Sequence, residues 1–100
     1  MNKKLVRDKI PKIITQGGKT PITHTADNEE YWEKLKEKLL EETNEFIEEE
    51  NNEELADIIE VINAICAHKS ISISQIEKLR KQKSEERGGF KDKIILDRIE

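Results

Sequence analysis

From residue 28 onward the apolar positions fall into helical stripes. Leu35, Leu39 and Phe46 lie at i, i+4 and i+11 of one face, with Tyr31 at its start, and the i+7 position of that stripe is Glu42. Asp27 reads as an N-cap with Glu30 three residues on, which predicts a helix over about 28–50. Asn51-Asn52 reads as the turn before a second helix over about 53–68, whose LADIIEVINAICA run is apolar around most of its circumference. On a helical wheel Leu55, Ile58, Ile59, Ile62, Ile65 and Cys66 fill one broad face, and Val61 and Ala64 lie on the far side with Asp57. Ser74 and Glu77 repeat the capping-box spacing for a third helix over about 75–87, which Gly88-Gly89 ends.

The rest of the chain is less regular. Pro11 suits the first turn of a short helix running through Ile14, and Gly17-Gly18 stops it. Residues 20–26 alternate weakly, as an extended segment does, and the tail KIILDRI (93–99) is rich in β-formers and is expected to pair with an extended N-terminal segment. The expected fold class is all-α. It is a helical bundle with a central antiparallel helix hairpin and a small terminal β element, in a single domain over 1–100, completed by oligomerisation.

Composition narrows the function classes. Charged residues are 40% of the chain and aromatics 4%, a balance close to that of disordered proteins, but the periodic apolar positions argue for a folded chain. The net charge of −4 argues against binding a nucleic-acid polymer, for which a basic face is the usual footprint. Cys66 is the single cysteine, which suits a reducing, cytoplasmic location. The basic Met1-Asn2-Lys3-Lys4 start has no hydrophobic run behind it, so neither a signal peptide nor a membrane association is expected.

The charge is unevenly placed. Residues 41–60 hold acids at 41, 42, 45, 48, 49, 50, 53, 54, 57 and 60 and no Lys or Arg, whereas the chain from Lys69 to Arg98 turns basic. In an antiparallel hairpin turning near position 49.5, Glu45 stands level with Glu54 and Glu42 with Asp57. Within each helix the i, i+3 spacing puts both carboxylates on one side. Four acids so placed repel strongly, and a divalent cation resolves the repulsion; an all-carboxylate set favours Mg²⁺, or Mn²⁺, over zinc. The alternative is that Glu42 pairs with Lys38, one turn back, and that the other acids form a solvated face.

The motif Glu41-Glu42-x-x-Glu45 followed by Glu54-x-x-Asp57 resembles the metal-binding motif of the MazG-like, all-α nucleoside triphosphate pyrophosphatases. The segments KLVRDKIPKII, KLLEETNEF, EELADIIEVINAI and KSEERGGF are similar to its phosphoribosyl-ATP pyrophosphohydrolase-like branch. Eight residues separate Glu45 from Glu54, fewer than in MazG itself, so the hairpin is expected to be shorter. The resemblance implies a Mg²⁺-dependent hydrolase that cleaves between the α- and β-phosphates of a nucleoside triphosphate to give a monophosphate and pyrophosphate, with removal of noncanonical nucleotides as an analogous role. It implies Glu42, Glu45, Glu54 and Asp57 as the metal ligands, with Glu41 the candidate for orienting or deprotonating the attacking water. It also implies an obligate oligomer, a homodimer or homotetramer.

Phosphate charge calls for cations. Lys83 and Arg87, at i and i+4 of the third helix, with Arg80 one turn earlier, form a face suited to a triphosphate. Arg7 and Lys9 lie in the family-like N-terminal segment and are placed to close over a ligand, and Lys38 is within reach of the acids or a phosphate. Trp32 is a candidate for stacking on a base or for packing. His24 and His68 have no ligand-type spacing. Two further readings remain, a noncatalytic helical interaction module and a hydrolase of phosphoribosyl-ATP-like substrates.

Overall fold

The computed structural model describes residues 3–100; Met1 and Asn2, half of the basic start, lie outside the described residues. It contains α1 (Ile10–Gln16), α2 (Asn28–Glu49), α3 (Asn52–His68) and α4 (Ile73–Arg87), and no strand among the described residues. Among these, no helix is long and apolar enough to cross a membrane.

Local chemistry sets the boundaries. Pro11 occupies the first turn of α1, and Gly17 receives its end, with Gly18 at φ +86° turning the chain away. Asp27 caps α2 by accepting from the Glu30 backbone N–H at 2.8 Å, but the Glu30 carboxylate turns to His24, 2.9 Å away, rather than completing a box. Glu50 closes α2 in the left-handed region (φ 55°), and Asn51 caps α3 by accepting from the Glu54 N–H at 3.0 Å. The connection is therefore Glu50-Asn51, and Asn52 is already helical. The third long helix starts earlier than the Ser74–Glu77 spacing predicts. Ser72 and Gln75 form the reciprocal capping box, because Ser-x-x-Gln satisfies the same two backbone donors two residues upstream.

Two residues of turn leave α2 and α3 no choice but to fold back antiparallel, and theirs is the one extensive helix–helix packing among the described residues. The seam runs through Leu35, which is 1% exposed, and Val61, 7% exposed. Val61 thus lies at the interface, with half-buried Asp57 and Ala64 on the same side of α3, while Leu55, Ile59 and Ile62 of the broad apolar face are turned outward. At the open end His68 stacks on Trp32 with ring centroids 5.4 Å apart and meets Tyr31 edge-on at 5.3 Å. Trp32 is thereby committed to packing, and His68 fixes the far end of the hairpin.

Glu50 pays a conformational penalty that a glycine avoids. A left-handed non-glycine residue costs about 1–2 kcal/mol, so Glu50→Gly should raise stability by about 1 kcal/mol in a denaturant titration. A destabilised variant would show that the Glu50 side chain holds the turn.

The terminal β element does not form. Residues 93–99 have no regular structure, and Ile94, Ile95, Leu96 and Ile99 are at least 73% exposed. The N-terminal segment is fastened along α2 and α3 by its side chains, Lys4 to Glu41 and Arg7 to Asp57, and is itself not a strand. An isolated two-stranded element would in any case be marginal. α4 is likewise not packed lengthwise on the hairpin; beyond Ile76 its residues are exposed.

Candidate metal centre

The antiparallel hairpin brings the predicted acids together. Glu42 on α2 and Glu54 and Asp57 on α3 present carboxylate oxygens that all lie within 4.8 Å of one another. Glu42 and Glu54 are buried, and Asp57 is half-buried. The Glu45 carboxyl lies against that of Glu54, with Glu49 beside it. Both helical i, i+3 pairs therefore point into the seam rather than to solvent.

The electrostatics are unbalanced in a particular way. Lys38 Nζ stands 3.2 Å from Glu42 Oε1 and 2.8 Å from Glu41 Oε2. The pairing alternative for Glu42 thus accounts for one of its oxygens. The other, Glu42 Oε2, and likewise Glu54 Oε2, is buried with no hydrogen-bond partner among the described residues. Burying such groups without a partner is costly, and the charged form suffers most. Accordingly burial, with the charges of Glu45 and Asp57 adding to it, raises the Glu42 carboxyl above its ordinary range against the pull of Lys38. Burial and the shared contacts with Glu45 and Glu49 push Glu54 up to about 7. Orphaned oxygens from two helices, aimed at one volume and all hard donors, fit Mg²⁺ or Mn²⁺.

The flanking residues fall into two groups. Arg7 Nη2 meets Asp57 Oδ1 at 2.7 Å, and Arg7 Nη1 lies 3.6 Å from Glu60. Lys38 bridges Glu41 and Glu42, and these two bonds raise its pKa although its burial works the other way. The hydrogen bond from Lys38, with a further one from Lys4 at 3.3 Å, holds Glu41 below the usual carboxylate range. In contrast, α4 does not bring its cations to the acids. Arg80 is engaged by Glu77 of its own helix, with Nε 3.0 Å from both carboxylate oxygens, and Lys83 and Arg87 are exposed. Lys9 lines the cavity next to the cluster.

That cavity, about 440 Å³, lies between the N-terminal segment and the hairpin. Leu5, Val6, Ile10, Ile13 and Tyr31 make its apolar wall, and Arg7, Lys38, Glu42 and Asp57 its polar end. The contribution of Leu5 and Val6 was not legible in the sequence, because it depends on contacts some 30 to 55 residues apart along the chain.

An uncharacterized protein of Mycolicibacterium smegmatis (strain ATCC 700084 / mc(2)155) is 48% identical to the chain over 42 residues, which are 42% of this chain and 43% of that protein. The match thus spans less than half the length of the relative. No family model and no solved structure matches the chain.

Proposed function

We propose that the chain is a divalent-cation-dependent pyrophosphohydrolase of the MazG-like type, which splits a nucleoside triphosphate between its α- and β-phosphates into a monophosphate and pyrophosphate. The observation that carries this reading is the pair of buried, partnerless oxygens, Glu42 Oε2 and Glu54 Oε2, in a three-carboxylate cluster. A solvated acidic face has no reason to bury them, since an exposed carboxylate is satisfied by water. Glu42, Glu54 and Asp57 would hold Mg²⁺, with Glu45 adjoining. When bound, the ion neutralises the carboxylates and polarises the phosphorus under attack.

The chain's own residues do the remaining work. Glu41, ionised by its two lysine contacts, accepts a hydrogen bond from the attacking water and orients it; its depressed pKa suits orientation better than deprotonation. Lys38 supplies positive charge where the acids meet the substrate. The guanidinium of Arg7 covers Asp57 from the cavity side and is placed to meet a phosphate there. Leu5, Val6 and Tyr31 offer the nucleoside an apolar surface that excludes water. A second copy of the chain completes the assembly by covering the outward apolar residues of α3.

A panel of canonical and damaged nucleoside triphosphates with Mg²⁺, scored for pyrophosphate against orthophosphate, tests the reading. Pyrophosphate release that stops on chelation is expected. Orthophosphate as the product would reassign the bond that is cut. Absence of turnover together with absence of cation binding would leave the helical interaction module in its place.

A further inference from the structure

Adjoining the apolar cavity, with Leu5 and Lys38 in the lining of both, is a second groove of about 390 Å³. Its walls carry Lys3, Lys4, Lys34 and Lys38 against two acids, Glu37 and Glu41. In a chain of net charge −4 this is a local excess of two positive charges, beside an acid-rich hairpin. The lysines are gathered by the tertiary fold, since Lys34 Nζ donates to the Lys3 backbone carbonyl at 2.9 Å and thereby holds the N-terminal segment against α2. Lys34 and Lys38 are only 26% and 18% exposed at the side chain, so their charge is partly shielded from solvent and salt.

We propose that this groove is the subsite for the β- and γ-phosphates, so that the pyrophosphate end of the substrate lies among Lys3, Lys4, Lys34 and Lys38 while the nucleoside end fills the apolar cavity. The inference rests on the pyrophosphohydrolase reading for the identity of its ligand. Its geometry is that both hollows include Lys38, and that Lys38 also touches Glu42 of the acidic cluster at 3.2 Å. A triphosphate laid across Lys38 therefore has its apolar end and its most anionic end in chemically matched surroundings, with the bond to be cut beside the acids. Lysine ammonium groups suit this role, because they recognise phosphate as charge without fixing one orientation. Glu41 lines the groove as well, so the water it orients approaches from this side, and the monophosphate leaves toward the apolar cavity. Lys4 and Lys34 currently pair with Glu41 at 3.3 Å and Glu37 at 3.0 Å, contacts that an incoming polyphosphate exchanges for stronger ones.

The test uses the full chain with Mg²⁺ and inorganic pyrophosphate as probe, followed by calorimetry, in the wild type, Lys4→Gln, Lys34→Gln and the double variant. Lys4 is 61% exposed at the side chain, and circular dichroism with the melting temperature checks that both single variants and the double variant keep the fold. Loss of two charge-assisted contacts should weaken pyrophosphate binding by about tenfold or more. The KM for the triphosphate should rise alongside it, while nucleoside monophosphate binding and the thermal shift given by Mg²⁺ stay as in the wild type. Pyrophosphate affinity that is the same in the folded double variant as in the wild type would overturn the subsite, even with turnover intact. Lysine-dependent pyrophosphate binding in a protein without turnover would instead retain the subsite and remove the enzymatic reading.

Discussion

Magnesium should stabilise the wild-type protein strongly, and single amide substitutions in the cluster should abolish that gain. A ligand present at a hundredfold excess over its Kd contributes about 2.7 kcal/mol, which for a chain of this size corresponds to a rise in melting temperature on the order of 10 °C. Glu42→Gln, Glu54→Gln and Asp57→Asn each remove one anionic donor from the group of oxygens within 4.8 Å of one another. Each should lose most of the shift and all detectable pyrophosphate release. The metal-free variants separate this loss from misfolding. Glu54→Gln removes the charge that Glu45 and Glu49 oppose, so without metal at alkaline pH it should melt at or above the wild-type temperature.

The same carboxyl sets the pH dependence of the metal-free protein. Burial raises the Glu54 pKa in the folded chain to about 7, above its unfolded value, so the folded state holds the proton more tightly. That contribution to stability is fully present below the unfolded pKa and is lost as pH rises through about 7. Metal-free protein should therefore become less stable between mildly acidic and neutral pH, and Mg²⁺ should reverse the loss because it takes the deprotonated form. Differential scanning calorimetry with a chelator across this range measures it. A metal-free stability that climbs steadily toward alkaline pH, with no response to Mg²⁺, would contradict the cluster as a cation site.

What was legible in the sequence was whatever the chain decides locally. The Asp27 cap acts within three residues, and the i, i+3 acids are placed by helical geometry alone. Asn51, in contrast, reads only as turn, and the expected capping box of the last helix, Ser74–Glu77, falls two residues past its true Ser72–Gln75 position. The short Glu50-Asn51 connection then fixes the register, which is why the acids could be paired across it before the fold was known. Features that depend on distant contacts were missed. The β-forming side chains of 93–99 favour a strand, yet a strand needs a partner edge, and no strand forms among the described residues to supply one. The side of α3 that faces α2 was legible, by contrast, since the wheel sets Val61 and Ala64 with Asp57 and the hairpin geometry puts Asp57 in the seam; the burial of Glu54 turns Leu55 outward. The grouping of Lys3, Lys4 and Lys34 was not legible, because they become neighbours only where the segment from Lys3 onward lies against α2.

The chain should be a dimer or a dimer of dimers in solution, with an active site that draws on both copies. Among the described residues only Leu35, Val61 and Cys66 are buried hydrophobics, too thin a core to hold the chain by itself. Leu55, Ile59 and Ile62, at i, i+4 and i+7 of α3, are 44%, 60% and 36% exposed. Covering a large aliphatic side chain returns roughly 1.5–3 kcal/mol, so this one stripe offers a substantial part of a small domain's net stability to a second copy. A two-fold packing of hairpins would bury it as a bundle of four or more helices. Light scattering at micromolar concentration should then give a multiple of the 11.7 kDa chain mass, and Ile59→Glu should reduce it to one chain with a lower melting temperature. The cations of α4 supply the sharper experiment. Lys83 and Arg87 make no ion pair among the described residues, and α4 stands clear of its own acids, so in the assembly they are expected to serve the neighbour's site. Glu54→Gln and a Lys83→Gln/Arg87→Gln double variant should each be inactive alone, yet regain part of the wild-type rate when co-refolded, because a mixed dimer restores one complete site. A monomeric mass with activity intact would sink the assembly. An oligomer that shows no rescue on mixing would confine the site to one chain.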